Sequence, residues 1–414
     1  MRRPRLFLVG IAETHVERAI ARAQAVGFEV VVGDSDRNLT RFAAVVGGAD
    51  RLVTVDYTSY ADVARAAEEL GRERPLQAIY SFKQDALAAT ARMQRDLGVV
   101  GNPPQAVDAC IDKPTARRRL AQAGVAGALF RTCSTAAELE EFVRALDAPA
   151  VVKPADRQGS LGVVRVDGPR QATAAFQEAR RHARSGRVLA EELVEGREVS
   201  IEALVSRGRC VVLCVTEKLL YPGTFVESGQ ITPDEGDELS REEYERLTRR
   251  IVDALGVRLG PLHIECFHTP DGRAVVGDLH TRYGGDHIPT LTELSTGCDL
   301  HTPIFEELLG VDGEPAAAAP PRRFAGIRYL APEPGTLAAV RGLERARRIP
   351  GAVDLGLLRE PGEEIPPLRS SDDRSAWVIA TGRDRNAVVR SLAEAERALE
   401  LVVERPLEEA AAWS

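Results

Sequence analysis

The sequence lacks the features that would place the protein in a membrane or in an oxidising compartment. Its six cysteines are scattered without paired CxxC spacing, which argues against a disulfide framework and against a zinc site. The N-terminus, MRRPRLFLVG, is positively charged, but its apolar run LFLVG is too short for a signal peptide or a membrane span. We therefore expect a cytoplasmic protein with no membrane partner.

The chain also has no excess of positive charge. Its 54 Lys and Arg residues stand against 62 Asp and Glu residues, which gives a net charge of -8. A nucleic-acid-binding protein normally presents a basic face, so we expect no nucleic-acid partner. The hydrophobic fraction of 44% and the charged fraction of 28% are ordinary for a globular protein, and the mildly acidic balance suits an enzyme of small molecules. A length of 414 residues predicts about three domains.

The first hundred residues lack the spaced glycines of a dinucleotide-binding loop. The loop after the first predicted strand reads GIAETH, which argues against a nicotinamide cofactor. Around this loop, strands and helices alternate, and this pattern predicts a parallel sheet with helices on its faces. The predicted elements are a strand at 6–10, a helix at 15–26, a strand at 29–33, a helix at 61–70 and a strand at 78–82.

The middle of the chain has a different pattern. A basic helix, a short strand ending in lysine, and a glycine-rich loop are followed by strands that predict an antiparallel sheet. The predicted elements are helices at 113–123, 171–184 and 241–255, and strands at 150–153, 163–166, 188–193, 198–206 and 210–218. The segment from Gly313 to Pro321, GEPAAAAPP, has the composition of a linker. The residues beyond it alternate short strands and helices without a charged constellation, which predicts a packing or closing subdomain.

Two lysines stand at the edges of regular elements. Lys113 and Lys153 are each followed by proline, and Lys153 ends the apolar run APAVV. Either one alone is most simply a surface lysine. The chain has many arginines and few lysines, however, so a lysine at the end of an apolar strand indicates a specific role. Lysine is a common point-charge partner of phosphate groups, so both are candidate polyphosphate ligands.

A glycine-rich loop follows Lys153 and lies between two predicted strands. It runs from Asp156 to Gly162, DRQGSLG. Glycines allow backbone amides to approach an anion closely, and Ser160 adds a hydroxyl donor. A hairpin of this kind also occurs without any ligand. The preceding lysine favours a phosphate-covering loop.

An acidic segment, LAEELVEGRE at 189–198, ends one predicted strand and begins another. Backbone donors and acceptors between strands can read the edge of an adenine, and a carboxylate such as Glu198 can accept both ribose hydroxyls. An acidic surface turn would fit the same residues.

Four polar residues lie in two apolar runs separated by the turn residues Asp271 and Gly272. Glu265 lies in GPLHIECFHT, and Asp278, His280 and Arg282 lie in AVVGDLHTRYGGDHI. The DG turn predicts that the two runs pair as antiparallel strands and bring these side chains together. An internal ion pair of an edge strand is the simpler explanation, because structural ion pairs imitate functional sites. The alternative is a site for a cation and a phosphate.

Together these segments resemble the ATP-grasp superfamily, and within it the carboxylate-amine ligases that include bacterial L-amino acid ligases. The resemblance rests on the order and spacing of DKPTAR, VVKP, GSLGV, EELVEGREVS, HIEC and DLHTRYGGDH. It covers nearly the whole chain, since PEPGTL and PPLRSS are similar to the tail of those ligases. It implies an α/β and α+β chain with a Rossmann-like preATP-grasp domain at 1–110, ATP-grasp central lobes at 111–312 and a C-terminal α+β subdomain at 322–414.

The resemblance also implies roles for individual residues. Lys113 and Lys153 bind the phosphates of ATP, and the loop of Gly159, Ser160 and Gly162 covers them. Glu191 and Leu193 contact adenine, and Glu198 contacts ribose. Glu265, Asp278 and His280 hold Mg2+ or Mn2+, and Arg282 neutralises the transferring phosphoryl group as the catalytic residue.

Two departures from the family pattern concern the metal and the substrates. Asp278 stands where relatives commonly carry glutamate, and His280 stands where many carry asparagine. The stretch from Thr216 to Lys218 and the stretch FVESGQ resemble the EK and FVExGH stretches of the amino acid ligases, but Gln230 replaces a frequent histidine. The candidate substrate residues are Lys218, Glu227, Gln230, Asp286 and His287. Glu227 is a candidate for an ammonium group, and Asp286 or His287 for the base.

The implied reaction is the ATP-dependent joining of a carboxylate and an amine, with amino acids as the expected substrates. A carboxylate oxygen attacks the γ-phosphate to give an acyl phosphate, and the amine then displaces phosphate. Two alternatives stay open: a ligase that loads an amino acid onto a carrier-protein thiol, and a non-catalytic ATP-binding regulator. A homodimer and a carrier protein are the macromolecular partners that the resemblance allows.

Overall fold

A computed structural model describes residues 2–236, 239–311 and 320–404. The chain divides into two compact units, here called unit 1 and unit 2. Unit 1 comprises Met1–Gly127, Ser200–Val215 and Gly236–Pro320, and unit 2 comprises Ala128–Val199, Thr216–Glu235 and Pro321–Ser414. The three domains expected from the sequence have other boundaries and stay a prediction. Most of the predicted linker, residues 313–319, lies outside the described residues.

The strands are numbered in chain order. They are β1 Arg5–Val9, β2 Glu29–Asp34, β3 Arg51–Thr54, β4 Leu76–Tyr80, β5 Phe130–Cys133, β6 Ala150–Pro154, β7 Val164–Val166, β8 Val188–Glu192, β9 Arg197–Ser206, β10 Arg209–Leu220, β11 Glu227–Thr232, β12 Gly260–His268, β13 Ala274–His280, β14 Phe324–Leu330, β15 Gly335–Arg341, β16 Ala352–Leu357, β17 Glu364–Ile365, β18 Ala376–Gly382 and β19 Glu400–Glu404.

The helices are numbered in the same way. They are α1 Val16–Val26, α2 Asp36–Arg41, α3 Ala43–Val46, α4 Tyr60–Glu73, α5 Leu87–Leu97, α6 Pro104–Ile111, α7 Lys113–Gln122, α8 Ala136–Leu146, α9 Ala172–His182, α10 Arg241–Leu255, α11 Ile288–Thr296, α12 Thr302–Leu309, α13 Leu343–Arg347 and α14 Arg385–Ala398. Among the described residues, none of these helices combines the length and the apolar composition that a membrane span needs.

Unit 1 begins with the parallel sheet that the sequence predicts. Its strand order is β3-β2-β1-β4, and all three pairings are parallel. Because successive side chains of a strand point to opposite faces, Leu6 and Leu8 pack in one apolar core while Phe7 and Val9 pack in another. The predicted elements of this region are confirmed to within a few residues at each end.

Unit 1 also contains the hairpin of β12 and β13. The two strands pair antiparallel, as the sequence predicts, with His263 opposite His280 and Ile264 opposite Leu279. A turn closes the hairpin, in which Gly272 donates its N–H to the carbonyl of Thr269 at 2.9 Å. Within the larger sheet the order next to the hairpin is β13-β12-β9-β10.

Unit 2 contains a four-stranded antiparallel sheet of order β5-β8-β6-β7. The sequence predicts that the strands at 188–193, 198–206 and 210–218 share one sheet, and this is wrong for the first of them. Strand β8 pairs with β5 and β6, whereas β9 and β10 are neighbours in another sheet. The reason is tertiary: β8 fills the gap between two strands that flank a shared core with α8 and α9, and periodicity does not specify a strand's partner.

The C-terminal part of unit 2 adds two antiparallel layers. Strands β11, β14, β18 and β16 are consecutive neighbours in one sheet, and β17-β15-β19 form a second sheet. The apolar face of α14 packs against β14 and β18, with Val388 and Leu392 buried in that core. This arrangement is an α+β structure, as predicted.

Candidate active site

In unit 1 the hairpin places Glu265 next to Asp278. A bulge between Ile264 and Cys266 shifts the register, and the backbone of Gly277 faces Glu265. A Cβ atom at Gly277 would lie 2.9 Å from the ring of Phe267 and 3.3 Å from the carbonyl oxygen of Glu265. Glycine therefore permits the close approach of the two strands at the point where both carboxylates emerge.

Asp278 is held by two buried cations from α7. Lys113 donates from its ammonium group to Asp278 Oδ2, and the guanidinium of Arg117 lies 3.2 Å from Asp278 Oδ1. Arg117 also donates to the carbonyl of Gly277 at 2.7 Å. The helix begins at this point because Asp112 caps it, accepting a hydrogen bond from the N–H of Thr115 at 3.1 Å. The predicted phosphate ligand Lys113 and the predicted metal ligand Asp278 are thus direct partners.

Glu265 has a histidine neighbour that the sequence reasoning did not single out. His263 Nε2 lies 3.7 Å from Glu265 Oε1, and His263 Nδ1 lies 2.7 Å from Glu202 Oε1. Burial alone would lower the pKa of His263, but the carboxylates of Glu202 and Glu265 outweigh burial and raise it to about 9. His263 is therefore an imidazolium at neutral pH that links two carboxylates.

His280 is a neutral imidazole at neutral pH. Burial and the nearby charges of Arg282 and Lys113 hold the pKa of His280 well below its usual value. Its ring stacks on the ring of His263, with centroids 6.1 Å apart and planes at 12°. Its Nδ1 is buried without a hydrogen-bond partner among the residues described.

The donor chemistry of Glu265, Asp278 and His280 fits a divalent cation. Two carboxylates offer the hard oxygen ligands that Mg2+ and Mn2+ prefer, and a neutral imidazole offers a lone pair. Nevertheless, residues 2–236, 239–311 and 320–404 hold no group of three or more His, Cys, Asp or Glu side chains placed as metal ligands. Since Asp278 pairs with Lys113 and Arg117, the metal role of these residues stays a prediction.

Arg282 lies just beyond β13. Its Nε donates to Gln84 Oε1 at 2.9 Å, and its NH1 donates to the carbonyl of Tyr283 at 2.6 Å. Burial lowers the pKa of Arg282 from its usual value, while Glu265 and Glu202 oppose that shift. The guanidinium stays charged at neutral pH, because arginine loses its proton only under strongly alkaline conditions.

Asp286 and His287 precede α11 in an unusual backbone conformation. Their φ angles are 56° and 61°, a left-handed region that side chains other than glycine rarely adopt. The preceding Gly284 is closely packed, because a Cβ atom there would lie 2.8 Å from His263. Strained segments of this kind occur preferentially at functional sites, which agrees with the predicted substrate role of Asp286 and His287 without testing it.

In unit 2, Lys153 and Glu191 form a largely buried ion pair. Lys153 Nζ lies 2.7 Å from Glu191 Oε2, and both side chains project from the adjacent strands β6 and β8. Leu193 donates its N–H to the carbonyl of Pro149 at 2.9 Å. The predicted phosphate ligand and the first predicted adenine contact are thus direct partners, as Lys113 and Asp278 are in unit 1.

The predicted phosphate-covering loop joins β6 to β7, as expected. Gly159, Ser160 and Gly162 all have positive φ angles, of 71°, 58° and 74°. Ser160 Oγ donates to the carbonyl of Phe225 at 2.7 Å. The loop therefore has three residues with left-handed backbone, and its serine hydroxyl contacts the segment before β11.

A second cluster in unit 2 brings together three predicted residues. Lys218 Nζ lies 2.6 Å from Glu198 Oε1 and 3.2 Å from Glu227 Oε1. Gln230 lies opposite Lys218 in the pairing of β10 with β11, and its side chain is buried. The predicted ribose ligand Glu198 and the predicted substrate residue Glu227 thus both pair with the buried Lys218.

Four residues at these clusters were not found by sequence reasoning: Gln84, Arg117, Glu202 and His263. Two of them carried a usable signal. Arg117 lies four residues after Lys113 and so shares a helix face with it, and His263 lies two residues before Glu265 on the same strand face. Glu202 and Gln84 come from distant strands and loops, so spacing could not reveal them.

Two family models match the chain. A model of the ATP-grasp domain matches residues 146–290, and a model of the L-amino acid ligase C-terminal domain 2 matches residues 328–404. An uncharacterized protein of Sinorhizobium fredii is 30% identical over 346 residues, which cover 80% of this chain and 70% of that protein. An L-arginine-specific L-amino acid ligase of Bacillus subtilis is 21% identical, over 83% of this chain and 85% of that one.

Solved structures share the fold. An L-amino acid ligase from Bacillus licheniformis superposes with a TM-score of 0.83 at 22% identity, covering 98% of this chain and all (100%) of that one. An N5-carboxyaminoimidazole ribonucleotide synthetase from Thermotoga maritima superposes with a TM-score of 0.72 at 18% identity, covering 97% and 100%.

Proposed function

We propose a function on the premise that the chain belongs to the ATP-grasp superfamily and, within it, to the carboxylate-amine ligases of the L-amino acid ligase type. Ligases of this family use ATP, release ADP and form C–N bonds, and the chain is such an enzyme. We propose that it joins two amino acids as a peptide, with Mg2+ or Mn2+ as its metal. The match to the L-amino acid ligase C-terminal domain supports amino acids as substrates.

The proposed reaction has two balanced steps. A carboxylate oxygen of the first amino acid attacks the γ-phosphorus of ATP, the bond to the β-phosphate oxygen breaks, and ADP leaves. The amine nitrogen of the second amino acid then attacks the acyl carbon, phosphate leaves, and the nitrogen loses a proton. Such transfers need alignment and charge neutralisation rather than a nucleophilic side chain.

The unit 1 cluster would neutralise charge during transfer. Glu265, Asp278 and His280 would hold the divalent cation, which would supply positive charge to the phosphates. Arg282 would stabilise the negative charge of the transferring phosphoryl group. Lys113, which pairs with Asp278, would contact a phosphate of ATP.

The unit 2 residues would bind the nucleotide. Lys153 would contact a phosphate, with the loop of Gly159, Ser160 and Gly162 over it. Glu191 and Leu193 would contact adenine, and Glu198 would accept the ribose hydroxyls. These assignments are supported by the buried ion pairs Lys153–Glu191 and Lys218–Glu198. In each pair, a polar atom of the ligand can take the place of one charged partner and bind the other.

Substrate contacts are proposed for five residues: three at the Lys218 cluster and two in the strained segment before α11. Glu227 would bind an amino acid ammonium group, and Asp286 or His287 would accept the proton from the attacking amine. Lys218 and Gln230 would orient the substrates from the buried side of β10 and β11.

A homodimer is proposed from the dimeric biotin carboxylase domain of Hydrogenobacter thermophilus among the fold relatives. A cytoplasmic location is proposed because the six cysteines are scattered without paired CxxC spacing.

The observation that carries the proposal is the convergence of Lys113 and Arg117 on Asp278 beside Glu265. It places two buried cations on one carboxylate, with Glu265 on the paired strand, and this arrangement suits the exchange of a cation and an anionic phosphate. The test is ADP release over a matrix of amino acid pairs, followed by product mass. Release that requires both an acid and an amine, with a product mass equal to their sum less water, supports ligation.

Two results would redirect the assignment. A product found only when a carrier protein is added would make the acceptor a thiol. Nucleotide binding without turnover for every pair would make the chain a regulator.

A Glu265→Gln variant that turned over ATP at the original rate would contradict the metal role of Glu265.

A further inference from the structure

A short turn in the C-terminal part of unit 2 is rigidly built. Ser370 donates from its N–H to Asp373 Oδ2 at 2.7 Å and from its hydroxyl to the same oxygen at 3.0 Å. Ser371–Asp373 form one turn of 3-10 helix, and Arg374 follows it. The turn lies within the range matched by the L-amino acid ligase C-terminal domain model.

Arg374 is a buried guanidinium with identified partners. Its Nε donates to the carbonyl of Ser371 at 2.7 Å, and its NH1 donates to the carbonyl of Glu227 at 3.3 Å. The guanidinium carbon lies 3.6 Å from the ring centroid of Tyr329. A buried cation is costly unless its donors are used, so these contacts fix the position of the turn relative to Glu227.

Ser371 bonds two predicted parts of the site at once. Its hydroxyl donates to Glu227 Oε2 at 3.1 Å, and its N–H donates to the carbonyl of Gly159 at 3.3 Å. The other carboxylate oxygen of Glu227 lies 3.2 Å from Lys218. Glu227 is therefore oriented at both carboxylate oxygens and at its own backbone carbonyl.

Three hydrogen bonds and two short backbone segments, 159–160 and 225–227, close into a ring. Ser371 connects the turn to Gly159 and to Glu227, and Ser160 returns from the glycine-rich loop to Phe225. A ring of this kind couples the position of the loop to that of the carboxylate, because displacing either one breaks a bond of the other.

We propose that Ser371 and Arg374 are positioning residues that hold Glu227 for the ammonium group of an amino acid substrate and tie it to the phosphate-covering loop. This inference rests on the proposed function. It gives the C-terminal subdomain a part in substrate recognition that acts through Glu227. The class of substrate is a small molecule with a free protonated amine, which a fixed, partly buried carboxylate recognises by charge and direction.

The kinetic experiment uses the full chain with Ser371→Ala. The variant removes the hydroxyl bond to Glu227 but keeps the N–H bond to Gly159. We expect the KM for the amino acid that Glu227 binds to rise about 5- to 20-fold, with the KM for ATP within about twofold of the wild type. Ser391→Ala is the matched control, because Ser391 donates its hydroxyl to the carbonyl of Pro350 in the same unit. It should leave both constants unchanged.

Arg374→Lys tests the guanidinium while retaining its charge. The planar guanidinium donates to the carbonyls of Ser371 and Glu227 from two different nitrogens, which a single ammonium group cannot do in the same geometry. We therefore expect the same rise in KM as for Ser371→Ala. Arg383→Lys is its control, because Arg383 is 88% exposed and contacts only its neighbour Asp384 among the ion pairs of the described residues.

A second readout does not depend on turnover. Ser371→Pro removes both the hydroxyl and the N–H donor, and proline is compatible with the first position of the turn. We expect hydrogen exchange of the amides at 156–162 to speed up at least about threefold in Ser371→Pro, and to match the wild type in Ser391→Ala.

The outcomes separate the two levels of inference. If the wild-type chain releases no ADP with any pair, the proposed function fails, and the exchange result alone decides on the ring. An active wild type whose amino acid KM is unchanged in both Ser371→Ala and Arg374→Lys overturns the positioning role. Unchanged exchange in Ser371→Pro overturns the tie to the loop.

Discussion

Asp278 combines a structural ion-pair role with a predicted role in the chemistry of the site. Lys113 and Arg117 are buried beside it, and a buried cation that loses its partner costs several kcal/mol. The same carboxylate is the predicted ligand of a divalent cation. The two ion pairs therefore keep the carboxylate charged and the cluster assembled.

Asp278→Asn should lower both stability and activity. The amide accepts a hydrogen bond but carries no charge, so we expect a loss of about 2–4 kcal/mol in the free energy of unfolding by urea, and at least a hundredfold lower rate of ADP release. Asp271→Asn is the matched control, because Asp271 lies in the turn of the same hairpin and is exposed. A variant Asp278→Asn with wild-type activity would remove Asp278 from the metal site.

His263 adds a pH dependence of a definite sign. Its folded pKa of about 9 lies above its unfolded value near 6.5, so its protonation stabilises the fold fully below about pH 6.5. That contribution is lost as the pH rises through about 9. His15, His280 and His301 have lowered pKa values, so their effect appears instead as the pH falls below about 6.5.

We therefore expect the free energy of unfolding to fall between about pH 6.5 and pH 9, by an amount on the order of 3 kcal/mol. Glu202→Gln should flatten this slope, because Glu202 is the stronger of the two carboxylates that raise the pKa of His263. Urea unfolding at a series of pH values measures the slope. The same slope in Glu202→Gln and in the wild type would contradict the assignment.

The hairpin of β12 and β13 was predictable, whereas the partners of its side chains were not. The DG turn and two apolar runs predict the antiparallel pair, and the order of Glu265, Asp278 and Arg282 follows from the sequence. The bonds from Arg117 and Glu202 depend on α7 and β9 packing against the hairpin, which local spacing does not encode. The wrong sheet predicted for β8 has the same origin, since alternation defines a strand but not its neighbour.

Gly277 is the backbone requirement of this hairpin. Gly277→Ala places a methyl group 2.9 Å from Phe267 and 3.4 Å from the Glu265 side chain, and we expect a loss of about 1–3 kcal/mol in unfolding free energy together with lower activity. Gly285→Ala is the control, because nothing lies within 4 Å of the added Cβ atom there. Equal stability of the two variants in urea would show that the strands can separate at no cost.

The order of the motifs along the chain was sufficient for the family, but not for the role of its last ninety or so residues. The sequence between 322 and 404 shows no charged constellation, and a packing role was therefore predicted. Ser371 and Arg374 acquire partners only when the chain folds, through Glu227 and Gly159. Contacts between residues about 150 to 210 positions apart leave no periodic trace in one sequence.

Nucleotide binding should stabilise the whole chain in a metal-dependent way. A ligand that binds only the folded state adds RT ln(1 + [L]/Kd), about 2.7 kcal/mol at a hundredfold excess over Kd, so Mg-ADP should raise the thermal unfolding midpoint. Chelation of the metal should remove most of that shift, because the proposed cation would neutralise the charge of the nucleotide phosphates. Differential scanning fluorimetry measures it.

Lys153→Met assigns that stabilisation to a single lysine. The substitution removes the predicted phosphate ligand and leaves Glu191 without its cation, so we expect the midpoint without ligand to fall and the shift caused by Mg-ADP to fall by at least half. Lys83→Met is the control, because Lys83 is not one of the predicted site residues. Its ion pair with Glu13 is long, at 3.8 Å. A full Mg-ADP shift in Lys153→Met would exclude Lys153 from phosphate binding, since a ligand's stabilisation must fall when its contact with the folded state is removed.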